Sequence, residues 1–247
     1  MTIREEFQRA GDFLFRWRSY LPVPLIGLSL IPLRGFEYPF NSHRLDCLWE
    51  ICCFCISFLG LGIRIFVRGY VPRGTSGRHT KRQVADVLNT TGMYSVVRHP
   101  LYLGNFLIWL GISLFARLWW FSLICVLIFY LLYERIIFVE EEFLRERFGD
   151  VFLKWAEKTP AFMPQFRNWR SPILPFSWRN TIRREYAGFF GIIVTFAFLE
   201  LAGDLFAEGK LELDLMWIVI FIVGLSIYLS LRLLTKKKLL NNGTPGA

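Results

Sequence analysis

Cysteine and histidine are scarce in this chain. Of 247 residues, five are cysteine and three are histidine. Cys47, Cys52, Cys53 and Cys55 crowd one apolar stretch, which excludes a disulfide framework as the main staple. Cys52-x-x-Cys55 has the spacing of a metal or redox pair, but with no histidine near it in that stretch it reads as small apolar filler, and no metal site is expected. Acid is in deficit too, 20 Asp and Glu against 29 Lys and Arg, for a formal net charge of +9. The basic residues flank apolar runs instead of striping a soluble face, so the expected partner is anionic lipid and not nucleic acid. A short basic tip before an apolar core is missing at the N-terminus, which carries Arg4, Glu5, Glu6, Arg9 and Asp12, so no cleaved leader is expected. There is no internal repeat and no low-complexity tract. No glycine-rich turn follows a predicted strand, and a soluble dinucleotide-binding fold is not supported. Residues 237–247 read as a frayed tail.

What is abundant is apolar: 54% of residues are hydrophobic, 17% are aromatic and the mean hydropathy is +0.39, too high for an ordinary soluble domain. A bilayer crossing needs about 20 helical residues. Apolar stretches fall near 14–33, 45–67, 101–116, 118–138, 186–204 and 213–234. The fold class is therefore all-α, a polytopic membrane helical bundle of about six spans. The third and fourth spans are short and parted by little more than Ala116 and Arg117, which makes them one helical hairpin. Lys and Arg concentrate in 68–99, 139–185 and the tail, whereas 34–44 and 204–212 are poor in base. That bias places the basic segments and both termini in the cytoplasm, so the two long polar segments share one face. Trp119 and Trp120 fit an interfacial aromatic belt.

Those polar segments are longer than ordinary connections and are where chemistry is expected. The first ends in Arg98-His99-Pro100-Leu-Tyr102-Leu-Gly104. Pro100 suits a first helical turn, which puts Arg98 and His99 at a positive helix end that gathers anions, with Arg98 as a fork for a carboxylate. Gly104, one turn in, permits close approach by a ligand or a neighbouring helix. The second begins as the fourth span leaves the membrane and carries Glu134, Arg135, Glu140, Glu141 and Glu142. At helical spacing Glu134 and Glu141 share one face, Arg135 and Glu142 another, and Glu140 points elsewhere, so the three consecutive acids cannot all meet one ligand. Carboxylates there suit a ribose diol or an ammonium group.

Taken in order, Gly92-x-Tyr94-x-x-x-Arg98-His99-Pro100-x-Tyr102-x-Gly104, a hydrophobic hairpin, Glu140-Glu141-x-x-Leu144-x-x-x-Phe148-Gly149 and Thr159-Pro160-x-x-x-Pro164 resemble the integral-membrane methyltransferases. That group includes isoprenylcysteine carboxyl methyltransferases and phospholipid N-methyltransferases. The resemblance covers residues 60–165, dividing the chain into N-terminal spans (1–59), a methyltransferase core (60–165) and a linker with two further spans (166–247). It implies S-adenosylmethionine as methyl donor, in a pocket at the cytoplasmic face between the Arg-His-Pro and Glu-Glu segments. Carried over by position, His99, Tyr102 and Gly104 would line the cofactor, Arg98 would hold its carboxylate, and Glu140 and Glu141 its polar end. Where family members often carry tyrosines after Phe-Gly, this chain has Phe152 and Trp155, so a hydroxyl-dependent role there is not expected.

Methyl transfer from a sulfonium is an in-line displacement that mainly requires alignment and exclusion of water. A carboxylate or phosphate acceptor needs no general base, whereas an amine must first lose a proton. The chain offers many arginines and few bases. Arg64 and Arg135 are the expected catalytic grips, and Arg16, Arg18 and Arg68 the expected substrate contacts. Arg64 is the most telling, because an arginine within an apolar span faces a polar interior. The favoured acceptor is an anionic lipid head group at the cytoplasmic face, with a lipid phosphate such as that of lipid A as the sharpest version. Isoprenylcysteine carboxylate and phosphatidylethanolamine are the alternatives. The expected location is a bacterial inner membrane, with no obligate protein partner. Two other classes compete: a small transporter using Glu50, Arg64 and Glu200 as pathway residues, and a non-catalytic lipid-binding scaffold. Absence of repeat symmetry weighs against the transporter. Glu50 and Glu200 could equally pair with buried base.

Overall fold

The computed structural model describes residues 2–33, 43–72, 85–209 and 214–236. Every regular element among them is helical, as the composition implies. The elements are α1 (Ile3–Trp17), α2 (Pro22–Leu33), α3 (His43–Tyr70), α4 (Pro100–Phe115), α5 (Trp119–Phe148), α6 (Asp150–Ala156), α7 (Trp178–Glu208) and α8 (Leu215–Lys236). Among the described residues four segments are long and apolar enough to cross a bilayer: Cys47–Tyr70, Trp119–Phe148, Trp178–Phe206 and Leu215–Lys236.

The count of long helices is smaller than the six stretches suggested. The stretch at 14–33 is broken: α1 ends at Trp17, and α2 has 12 residues, about 18 Å of helix. Prolines at 22 and 24 explain the break, since the residue before a proline is driven out of helical backbone and Pro22 fits the first turn of a new helix. Helix α4 has 16 residues, about 24 Å against a hydrocarbon core of about 30 Å. It turns into α5 through Arg117, whose backbone is left-handed (φ 58°).

Helix α1 is secured at its start by a capping box, in which the Thr2 N–H donates to the Glu5 carboxylate at 2.8 Å and the Thr2 hydroxyl accepts from the Glu5 N–H. It lies along the polar end of α5. Gly11 sits so close that a Cβ there would stand 2.5 Å from the Arg135 carbonyl oxygen. Phe13 and Trp17 stay exposed on the same helix as Arg9 and Arg16, the pattern of a helix resting in the membrane interface.

At the centre, α3 packs on α4 backbone to backbone. A Cβ on Gly60 would fall 2.4 Å from the Gly104 carbonyl oxygen, and one on Gly104 would fall 2.7 Å from that of Gly60. Small residues permit this approach, which gives transmembrane helices their van der Waals contact. Helix α7 covers another side of α3 through edge-on ring contacts, Phe58 with Phe189 at 5.7 Å and Phe54 with Phe196 at 5.4 Å. Away from the polar segments, the buried Glu50 accepts from Trp217 Nε1 of α8 at 3.0 Å and from Arg117 Nη2 at 3.3 Å. Glu50 therefore ties three elements together. It stands 14 residues from Arg64 on α3, about 21 Å along the axis, which separates the residues that a transporter would string into one path. Cys52 and Cys55 are exposed on the apolar outside of α3 and Cys53 is buried, as filler requires.

Candidate functional site

The two long polar segments interlock at one end of the bundle. Gly92 donates its N–H to the Arg170 carbonyl at 2.8 Å, Arg98 to Pro160 at 2.8 Å, and Gln165 to Val96 at 2.9 Å. Trp155 Nε1 donates to the Tyr94 carbonyl at 3.1 Å. Pro100 opens α4, so His99 caps it. Gly149, at φ 53°, stops α5 and starts α6, which turns the chain back over the start of α4.

The helix start and the acidic end of α5 meet at His99. Its Nε2 lies 2.9 Å from Glu141 Oε1, and its Nδ1 lies 3.5 Å from Glu140 Oε2. Burial disfavours the imidazolium, but the contacts and charges of Glu140 and Glu141 outweigh it and raise the His99 pKa. The His99 ring stacks on Tyr102 at 5.7 Å, and Tyr102 meets Tyr133 edge-on at 5.0 Å. Glu140 Oε2 is buried in the cavity lining with His99 Nδ1 3.5 Å away and Tyr102 beside it, but neither of these contacts is aligned as a hydrogen bond. Burial also raises the Tyr94 phenol well above its ordinary value, so it stays neutral.

Arg98 is committed within the protein. Nε and Nη2 donate to Glu141 at 2.8 and 3.4 Å, and Nη1 donates to the carbonyls of Ala156 and Thr159 at 2.7 and 2.9 Å. A ligand carboxylate reaches this fork only by displacing Glu141, so the structure gives Arg98 the work of holding Glu141 and the 156–159 turn.

A cavity of about 720 Å³ opens at this corner, and His99, Tyr102, Tyr133 and Glu140, from the start of α4 and from α5, are in its lining. Arg64 and Arg68 of α3 and Arg184 of α7 line it too, as do Arg18, whose charge acts on Tyr102 and Glu140, and the apolar Ile108, Ile112 and Ile192. The volume suits a nucleoside-sized ligand with a second group beside it. Arg64 donates through Nε and Nη2 to Glu185, both at 3.1 Å, and through Nη1 to Asn105. Arg68 Nε lies 2.7 Å from Glu185 Oε1, an ionic contact not aligned as a hydrogen bond, and its Nη1 donates to the Arg184 carbonyl at 3.3 Å. Asn105 Nδ2 donates to Tyr133 Oη at 3.1 Å. One chain of contacts thus runs from Arg64 through Asn105, Tyr133 and Tyr102 to His99.

Three expected site residues fall elsewhere. Gly104 faces α3, where it admits Gly60 and the Arg64 side chain, and does not line the cavity. Arg135 donates to the Leu131 carbonyl at 3.0 Å and its guanidinium lies 4.9 Å over the Phe7 ring, which docks α1 and leaves it outside the cavity lining. Arg16 is exposed at the end of α1, also outside that lining. Glu142 pairs with Arg4, away from the other two acids, as helical spacing implies. Sequence reading missed Asn105, Tyr133 and Glu185. Glu185 carried a signal, an acid at the polar threshold of an apolar helix, but it lies beyond the recognised motifs.

Residues 56–151 match the family model described as phospholipid methyltransferase. The chain is 31% identical over 132 residues to the cobalt-zinc-cadmium resistance protein CzcN of Cupriavidus metallidurans, covering 53% of this chain and 58% of that one. It is 30% identical over 190 residues to the nickel-cobalt-cadmium resistance protein NccN of Alcaligenes xylosoxydans xylosoxydans, covering 75% and 82%. It is 31% identical over 112 residues to the protein-S-isoprenylcysteine O-methyltransferase of Schizosaccharomyces pombe, covering 44% and 48%. The chain therefore spans about half the length of the first and third of these relatives and most of the second. No solved structure matches it.

Proposed function

The chain belongs to the integral-membrane phospholipid methyltransferase family, and from that premise we propose that it moves a methyl group from S-adenosylmethionine to an anionic lipid head group at the cytoplasmic face. The observation that carries this reading is one cavity whose lining includes Glu140 of α5, with no aligned hydrogen bond at its buried Oε2, together with Arg64 and Arg68 of α3. When bound, the cofactor supplies an electrophilic methyl on a sulfonium. Glu140 would accept from its ribose hydroxyls or ammonium, Tyr102 and His99 would give it an aromatic wall, and Glu141 with Arg98 would hold His99 in place. Arg18, Arg64 and Arg68 would bring the acceptor oxygen into line, and the apolar lining would exclude water.

Arginine favours an oxyanion acceptor over an amine, because a protonated amine would be repelled by the guanidinium groups. A phosphate is the sharpest reading. A carboxylate is the second, favoured by the isoprenylcysteine methyltransferase among the relatives. The two bacterial relatives are named for resistance to divalent metals. Methylating a lipid phosphate would remove a charge that binds such cations, which joins those names to this chemistry. The test has two arms. Purified protein is expected to bind S-adenosylmethionine directly, and lipids from cells carrying the gene are expected to include a species one CH2 heavier than its counterpart in cells without it. Absence of binding overturns the reading.

A further inference from the structure

Helix α7 lies outside the matched region, yet it supplies the acid that organises the arginines of the cavity lining. Glu185 is 3% exposed at its side chain and touches two guanidinium groups from α3, at 3.1 Å to Arg64 and 2.7 Å to Arg68. Arg64 uses Nε and Nη2 on this carboxylate and Nη1 on Asn105, so its orientation is fixed from two sides. Arg68 is held less completely. Its Nε is buried without an aligned hydrogen bond, and it shares Glu185 with Arg64. Two cations against one acid leave this trio with a net positive charge in a partly buried place, and that arrangement is stable when an anion completes it.

We propose that Glu185 is a positioning residue for acceptor recognition: its carboxylate holds Arg64 and Arg68 in a fixed pair, and that pair receives the anionic group of the methyl acceptor. This rests on the methyl-transfer reading above and extends the site to α7. The carboxylate orients the guanidinium groups without itself touching the acceptor. A carboxylate that merely competed for the arginines would have the opposite effect when neutralised. Glu185→Gln makes the site one charge more positive, so simple attraction predicts tighter anion binding, whereas loss of positioning predicts weaker binding despite the added charge.

The test uses the full chain in phosphatidylcholine nanodiscs with octyl phosphate and octylamine as probes, and S-adenosylmethionine affinity measured on the same samples. The wild type is expected to bind octyl phosphate at least tenfold more tightly than octylamine. Glu185→Gln is expected to weaken octyl phosphate at least fivefold and Glu185→Asp to recover at least half of that loss, with cofactor affinity within twofold of wild type in both. Should Glu185→Gln fold poorly, Arg68→Lys keeps the charge but not the planar fork and is expected to lose at least fivefold for octyl phosphate. Unchanged or tighter octyl phosphate binding in Glu185→Gln, or unchanged binding in Arg68→Lys, overturns the proposal. Failure of the wild type to bind S-adenosylmethionine while these phosphate effects hold would instead strike the methyl-transfer reading alone.

Discussion

Arg98 and Glu141 stand 43 positions apart and meet side by side, Nε to Oε1 at 2.8 Å and Nη2 to Oε2 at 3.4 Å, with His99 Nε2 on the same carboxylate oxygen at 2.9 Å. This contact joins the segment just before α4 to the last two turns of α5 and sets the corner of the cavity. Glu141→Ala leaves Arg98 without its main partner and lets His99 turn. Hydrogen bonds to charged groups contribute about 1.5–3 kcal/mol, so S-adenosylmethionine affinity is expected to fall about tenfold or more, and similarly for His99→Ala. Titration calorimetry checks this, and wild-type affinity in both variants would remove the site assignment.

The raised pKa of His99 has a definite sign in stability. A group raised above its unfolded value of about 6.5 contributes fully below that pH, and the contribution is lost as pH rises through the folded value. The thermal midpoint is therefore expected to decline from neutral toward alkaline pH in the wild type, and His99→Gln should flatten that decline. Parallel melting curves across this range decide the matter.

Two arginines that resemble each other in sequence context should behave differently. Arg64→Ala breaks a largely buried pair and leaves Glu185 to Arg68 alone. A loss of about 3 kcal/mol is expected, near the low end for such pairs because Arg68 remains. Turnover should drop while cofactor affinity stays within about twofold, a wide margin against the 1.4 kcal/mol of a tenfold change. Arg135→Ala removes a cation–π contact with Phe7 worth about 0.5–1 kcal/mol and should leave turnover unchanged. Equal losses of turnover in both would contradict the placement of Arg135 outside the cavity.

Gly60→Leu is expected to prevent the native approach of α3 to α4, since even a Cβ would stand 2.4 Å from the Gly104 carbonyl oxygen. Overpacking of this kind costs about 1–3 kcal/mol or more. Gly62→Leu, on the same helix with nothing within 4 Å of its Cβ position and outside the cavity lining, is the matched control and should retain the wild-type melting temperature. Melting both in the same detergent separates crowding at one contact from a general intolerance of bulk.

The sequence disclosed the helical class and that the Arg-His-Pro and Glu-Glu segments come together at one end of the bundle, because these rest on hydropathy, charge bias and two dense motifs; it did not disclose that Glu140 and Glu141 both reach His99. It did not disclose that 14–33 is split, although Pro22 and Pro24 carried the reason. Arg98 looked like a ligand fork because its partners, Glu141 and the carbonyls of Ala156 and Thr159, are distant in the chain. Glu185 was hidden for a related reason. An acid at a helix entrance is ordinary until folding sets two arginines from another helix beside it.

The backbone contact between Gly60 and Gly104 also bears on how the protein meets membranes of different thickness. With no side-chain layer between them to slide or compress, α3 and α4 must tilt together as one blade. Arg64 and Arg68 ride on one helix, while His99 caps the other and Tyr102 and Asn105 lie within it. A change in the thickness of the surrounding lipid is then expected to move Arg64, Arg68, His99 and Tyr102 as one group, with their mutual spacing kept while the acyl-chain length of the host bilayer varies.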